Sequence, residues 1–129
     1  MRPLRGHETI LPVPINVLIV DDDAPFRLTL RALLEAEGCV VVGEAADGRS
    51  AVAEAERLRP ALVLLDIQLP DVDGFEVAAA LAQWPDPPAV VLTSSRSASS
   101  YRRRLADSPV RAFIPKSELS GEALAALVP

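Results

Sequence analysis

Several apolar runs of this 129-residue chain end beside a side chain that could take part in chemistry. The runs and their neighbours are 15–20 with Asp21 and Asp22, 61–65 with Asp66, 89–92 with Thr93, and 110–114 with the single lysine, Lys116. If these runs are parallel strands of one sheet, their carboxyl ends meet at one edge, where such folds bind ligands. The sequence therefore predicts a site that combines carboxylates, a hydroxyl and an amine.

The three carboxylates favour a bound cation. At about 4 Å and an effective dielectric near 20, each close pair would repel by roughly 4 kcal/mol. Oxygen ligands without nearby His or Cys select a hard ion, and few protein ligands completed by water favour Mg2+ over Ca2+. The one histidine, His7, lies in the N-terminal segment and is interpreted as a solvated residue.

The same residues suit phosphoryl transfer. Lys116 would supply a fixed positive charge and Thr93 a hydroxyl donor for an anion placed beside the metal. Asp66 could then attack a phosphodonor in line and form an aspartyl phosphate, because the cations neutralise charge on the phosphoryl oxygens.

The elements that must position this site form an α/β pattern. The five apolar runs, including 40–42, show no apolar/polar alternation, which is typical of parallel strands covered on both faces. Asp23, Asp47 and Asp73 are predicted helix N-caps, the helix around residue 101 is predicted to be short, and the last helix begins after Ser120. We expect a flavodoxin-like, three-layer doubly wound (βα)5 sandwich whose five-stranded parallel sheet has the order 2-1-3-4-5.

Composition narrows the class of protein. Residues 1–14 are predicted to be a flexible N-terminal tail before one domain at 15–129, and Cys39, the only cysteine, is predicted to be buried. No apolar run approaches the roughly 20 residues of a membrane span, so a cytoplasmic protein is expected. The net charge of -5 argues against direct nucleic-acid binding, despite a short basic cluster at 102–104.

Four segments together resemble one family. VLIVDDD (17–23), LVLLDIQLPDVDGFE (62–76), VVLTSS (90–95) and AFIPK (112–116) are similar to the response-regulator receiver domain of two-component signalling, from residue 15 to the end. The resemblance implies a phosphoacceptor signalling domain rather than an enzyme, although such domains assist their own phosphoryl transfer and dephosphorylation. A sensor histidine kinase would be the phosphodonor, and Asp66 the phosphoacceptor.

The resemblance also implies individual roles. Asp22, Asp66 and the backbone carbonyl of Gln68 would ligate Mg2+ directly, with Asp21 acting largely through water. Thr93 and Phe113 match the switch pair of the family, and Gln68 and Ser95 occupy positions that tune dephosphorylation.

A partner surface is implied as well. Helix 4, strand 5 and helix 5 would form a face for a homodimer or an effector, carrying Tyr101, Arg102, Arg103 and Arg104. Pro115 precedes Lys116 and Ser117 follows it, so a cis Lys-Pro bond is unavailable, and a cis Ile114–Pro115 bond is left open.

Other functions fit less well. A haloacid-dehalogenase-type phosphatase and an EF-hand both fail on the residues that flank DVDG, and a flavodoxin-like redox module would need a phosphate-cradling loop where this chain has DDDAPF. The alternative that stays open is a receiver-like interaction module that is not phosphorylated. Whether the chain acts alone or belongs to a longer regulator with an output domain also stays open.

Overall fold

The computed structural model describes residues 14–126, apart from the side chain of Ala125. The flexible tail predicted at 1–14 lies outside the described residues except for Pro14. The strands are β1 Asn16–Val20, β2 Val40–Ala45, β3 Leu62–Asp66, β4 Ala89–Ser94 and β5 Ala112–Pro115. The helices are α1 Ala24–Ala36, α2 Gly48–Leu58, α3 Gly74–Ala82, α4 Arg102–Ala106 and α5 Gly121–Ala125. Short 3-10 helices at Ala98–Tyr101 and Lys116–Glu118 precede α4 and α5.

The five strands form one parallel sheet in the order β2-β1-β3-β4-β5, as predicted. The central strand β3 is buried along its whole length, which explains its uninterrupted apolar sequence. Two hydrophobic clusters cover the two faces of the sheet, so the chain has three layers. One cluster packs α2 and α3 against side chains such as Leu18 and Leu65, and the other packs α1 and α5 against side chains such as Ile19 and Leu64.

Aspartate caps begin the first three helices at the predicted residues. Asp23 accepts a hydrogen bond from the Phe26 N–H, Asp47 from the Ser50 N–H, and Asp73 from the Glu76 N–H. These caps satisfy backbone donors that have no partner within the helix. Each capping residue lies at or near the carboxyl end of a strand, so the caps also set the direction in which the chain leaves the sheet.

Two smaller expectations are confirmed. Cys39 is a buried free cysteine, and α4 is only five residues long. The described residues contain no cis peptide bond, so the Ile114–Pro115 bond is trans. No helix within residues 14–126 is both long and apolar enough to cross a membrane.

Candidate functional site

The carboxyl ends of β1, β3 and β5 bring the predicted acidic and basic side chains together. Lys116 Nζ lies 2.7 Å from Asp21 Oδ2 and 3.2 Å from Asp66 Oδ2. One carboxylate oxygen from each of Asp21, Asp22 and Asp66 lies within 4.8 Å of the others. Residues separated by up to 95 positions therefore form one compact site, as the strand order predicts.

Backbone amides orient the two buried carboxylates. Asp21 and Asp66 are only 1% and 3% exposed, whereas Asp22 is exposed at the mouth of the site. The Asp23 N–H donates to Asp21 Oδ1 at 2.8 Å, and the Gln68 N–H donates to Asp66 Oδ1 at 3.1 Å. Each carboxylate thus has one oxygen held by the backbone and a second oxygen directed toward Lys116.

The donor set fits a hard divalent cation such as Mg2+. Asp21 Oδ2 is buried, and the Lys116 ammonium lies 2.7 Å from it as an ion-pair partner. A further positive partner would stabilise a buried carboxylate oxygen of this kind. With three carboxylates and one ammonium, the cluster keeps an excess of negative charge that a cation would balance.

The buried charges also shift the acidity of the site. Burial, reinforced by the negative charge of Asp21, raises the pKa of Asp66 against the opposing effects of the Gln68 N–H and Lys116. Burial alone would lower the pKa of Lys116, but the carboxylates of Asp21 and Asp66 outweigh it and raise that pKa. Lys116 is therefore positively charged at neutral pH. Any added positive charge would stabilise the ionised form of Asp66.

Thr93 lies beside Asp66 on the neighbouring strand. The two residues are paired in the β3–β4 register, and Thr93 is 1% exposed. On the next strand, Phe113 is paired with Leu92 and is partly buried against the core. Gln68 and Ser95 are exposed two residues after Asp66 and Thr93, respectively. Of the predicted switch and tuning positions, Thr93 and Gln68 therefore lie next to Asp66, and Phe113 lies one strand beyond Thr93.

The structure corrects the interpretation of Tyr101 as a surface residue. Its side chain is 8% exposed, and its ring lies between those of Phe75 and Phe113, with centroid distances of 5.9 and 6.0 Å. The Tyr101 hydroxyl is 3.1 Å from Ser94 Oγ, which gives the buried phenol its polar partner. Tyr101 therefore belongs to the core, where Leu105 also packs.

Arg104 is exposed, as expected of the basic cluster, and has two partners that the sequence did not indicate. Its guanidinium donates to Asp73 Oδ2 at 2.6 Å and lies 4.2 Å from the centroid of the Phe75 ring. These two contacts connect α4 to the N-terminus of α3. The predicted partner face retains Arg102, Arg103 and Arg104 as exposed residues, of which Arg104 is paired with Asp73.

Two contacts of the site could not be found by sequence reasoning. The Phe26 ring faces Lys116, with Nζ 4.4 Å from the ring centroid. Asp71 accepts hydrogen bonds from the Gly48 and Arg49 N–H groups at the start of α2. Both contacts join distant segments, so no local pattern indicates them.

Comparisons with known proteins agree with this architecture. The family model for the response regulator receiver domain matches residues 17–128. The transcriptional regulatory protein PdtaR of Mycobacterium tuberculosis is 39% identical over 104 residues, which cover 81% of this chain and 50% of PdtaR. The virulence regulator BvgA of Bordetella pertussis is 37% identical, over 80% of this chain and 49% of BvgA. The chain thus spans about half the length of these curated relatives.

Solved structures of receiver domains share the fold. The receiver domain of NarL from Mycobacterium tuberculosis superposes with a TM-score of 0.78 and 30% identity, covering 90% of this chain and 98% of that domain. The response regulator domain of Thermotoga maritima CheB gives a TM-score of 0.73 and 26% identity, over 88% of this chain and 90% of that domain.

Proposed function

Because the chain belongs to the response regulator receiver domain family of two-component signalling, we propose that it accepts a phosphoryl group from a sensor histidine kinase on Asp66. The observation that carries this proposal is the position of the Lys116 ammonium, 3.2 Å from Asp66 Oδ2 and directly beside the acidic cluster. A carboxylate next to a fixed cation is a suitable nucleophile for phosphorus, since the cation can stabilise the charge of the incoming phosphoryl group.

In the proposed reaction, a carboxylate oxygen of Asp66 attacks the phosphorus of a phosphohistidine in line with the bond to nitrogen. The new P–O bond forms as the P–N bond breaks, and the leaving imidazole keeps the electron pair of the broken bond. Lys116 neutralises charge on an equatorial phosphoryl oxygen. The buried backbone contact with Gln68 holds the other oxygen of Asp66 and so fixes the direction of attack.

Magnesium belongs to the same proposal. Asp22, Asp66 and the backbone carbonyl of Gln68 would hold Mg2+ directly, and Asp21 would act largely through water. When bound, the ion would add positive charge beside the transferred group and offset the repulsion among the carboxylates. The three clustered carboxylate oxygens, whose negative charge exceeds the positive charge of the Lys116 ammonium beside them, support this assignment.

The proposed signal passes from Asp66 through the neighbouring strands. Phosphorylation would draw the Thr93 hydroxyl toward the phosphoryl oxygen and let the Phe113 ring turn inward, which biases a two-state equilibrium. Tyr101 lies against Phe113, so a movement of that ring would reach α4 and the exposed Arg102 and Arg103. Gln68 and Ser95 would tune dephosphorylation.

The proposed roles of the remaining segments follow from the phosphoacceptor role of Asp66. Residues 15–129 would act as a cytoplasmic receiver and 1–14 as a tail, without separate enzymatic activity. The face formed by α4, β5 and α5 would meet a second copy of the chain or an effector.

Intact mass spectrometry tests the phosphoacceptor role. After incubation with acetyl phosphate and Mg2+, the wild-type chain should gain the mass of one phosphoryl group. Asp66→Asn should gain none, because an amide is not a comparable nucleophile. A wild-type chain without the adduct would favour the interaction module that is not phosphorylated, and an equal adduct on the variant would place the acceptor elsewhere.

A further inference from the structure

Among the described residues, three side chains lie close to the Lys116 ammonium, and one of them is an aromatic ring. Asp21 and Asp66 contact its ammonium through carboxylate oxygens, and the Phe26 ring lies 4.4 Å from Nζ, measured to the ring centroid. The Lys116 side chain is only 19% exposed. The ammonium is therefore enclosed by two charged groups and by the negative face of a π-system.

Phe26 is held through both its backbone and its side chain. The backbone N–H of Phe26 donates to Asp23 Oδ1 at 3.3 Å, so the N-cap of α1 fixes the position of this residue. Its side chain packs against the cluster beneath α1, to which Ile114 and Leu119 on either side of Lys116 also contribute. Phe26 and the backbone around Lys116 thus rest on the same hydrophobic support.

We propose that Phe26 is a positioning residue that holds the Lys116 ammonium at the Asp66 side of the site. This inference rests on the proposed function, because the position matters only if Asp66 receives a phosphoryl group. Lysine has a flexible four-carbon stem and a compact charge, so a third contact adds to the restriction imposed by the two ion pairs. The ring face occupies one side of the ammonium, and the carboxylates of Asp21 and Asp66 contact it as well.

The expected effect on rate is moderate. Attraction between an ammonium and a partly desolvated ring corresponds to roughly a three- to tenfold change in an equilibrium or rate. Phe26→Leu, which keeps an apolar side chain but removes the π-face, should therefore slow phosphorylation of Asp66 by about that factor. Phe26→Tyr keeps a ring face and should restore a rate close to that of the wild-type chain.

The ring contact can be measured without phosphodonor or metal. Lys116 is the only lysine, so protein labelled selectively at lysine gives one set of side-chain NMR signals. In the wild-type chain, the CεH2 protons should be shifted upfield by the ring current. The shift should disappear in Phe26→Leu and persist in Phe26→Tyr. An unchanged signal in Phe26→Leu would overturn the proposal.

Initial rates with acetyl phosphate and Mg2+ complete the test. Leu28→Ala is the matched control, because Leu28 lies on the same helix but is 69% exposed. Slower phosphorylation of Phe26→Leu, with rates restored in Phe26→Tyr and unchanged in Leu28→Ala, would support the positioning role. Equal rates in Phe26→Leu and the wild-type chain would overturn that role alone. Absence of any adduct on the wild-type chain would overturn the proposed function and the positioning role with it.

Discussion

At the scale of single residues, three consecutive aspartates have three different surroundings. Asp21 is buried against Lys116, Asp22 is exposed at the mouth of the site, and Asp23 caps α1. The division into two residues of the acidic cluster and one cap could be predicted, since a strand end and a helix start have known residue preferences. The ion pair between Asp21 and Lys116 could not, because it depends on the position of β5.

Substitutions of the neighbours Asp22 and Asp23 should separate metal binding from stability. Asp22→Ala should weaken Mg2+ binding strongly, because it removes a proposed ligand. Asp23→Ala should keep most Mg2+ affinity but lower the free energy of unfolding by about 1 kcal/mol through loss of the cap. Isothermal titration calorimetry and urea denaturation measure the two effects.

Undiminished Mg2+ binding in Asp22→Ala would show the ligand assignment to be wrong. Calorimetry suits this comparison better than tryptophan fluorescence, because Trp84 lies at the edge of the sheet opposite the acidic cluster. Its side chain lines a cavity with Asn16, Ala61 and Ala89, at or near the amino-terminal ends of the strands.

At the scale of elements, the turn between β3 and α3 holds the backbone of Asp66. The Gly74 N–H donates to the Ile67 carbonyl at 2.7 Å, and a Cβ at Gly74 would lie 2.5 Å from the Asp66 carbonyl oxygen. Asp73-Gly74 could be predicted as a turn and cap from the sequence. The close approach of Gly74 to the site backbone could not, since it depends on how α3 folds back over β3.

Gly74→Ala should therefore be costly. The added Cβ meets backbone atoms of Asp66 and Ile67, which cannot move without displacing the end of β3. We expect a loss of about 1–3 kcal/mol in the free energy of unfolding. Gly43→Ala is a suitable comparison, because its close contact is with the flexible side-chain tip of Leu58. Equal denaturation midpoints for the two variants would contradict this account of Gly74.

An ionic cluster joins α1 to the edge strand β2. Arg27 and Arg31 both donate to the Glu44 carboxylate, and Arg27 also donates to the Asp21 carbonyl at 2.6 Å. The hydrogen bond from Arg31, helped by Arg27, lowers the pKa of Glu44 despite partial burial. The cluster therefore connects the edge of the sheet to the backbone of the site.

This cluster predicts a pH dependence of stability. Because the folded-state pKa of Glu44 is depressed, its contribution is present above the unfolded pKa of about 4.3 and is lost as pH falls through the folded pKa. Glu44→Gln should lower the thermal unfolding midpoint at neutral pH, and the difference from the wild-type chain should shrink below about pH 4. A difference that is constant from neutral to acid pH would show that the charge of Glu44 contributes nothing.

At the scale of the whole molecule, sequence patterns predicted the strand order and the edge where the site lies. Those features follow from apolar runs, caps and the handedness of crossovers, which are local or general. The features that the sequence did not indicate are contacts between distant segments. Tyr101 is buried because Phe75, Ser94 and Phe113 enclose it, and Arg104 is paired with Asp73, 31 residues away.

The same contacts indicate how a small structural change at Asp66 would alter the position of the distant helix α4. β4 and β5 carry Thr93 and Phe113, and the ring of Tyr101 links Phe113 to α4. The helix α4 is only five residues long, so few of its own hydrogen bonds resist movement. In the proposed function, this short helix is the element through which phosphorylation reaches Arg102 and Arg103.

Localisation of the phosphoryl group tests the central claim most directly. Borohydride reduces an aspartyl phosphate to homoserine, which peptide mass mapping can assign to one residue. After treatment with acetyl phosphate and Mg2+, we predict homoserine at position 66 and none in samples without the phosphodonor. Homoserine at another aspartate, or its absence from wild-type chain that carries the phosphoryl mass, would contradict the account.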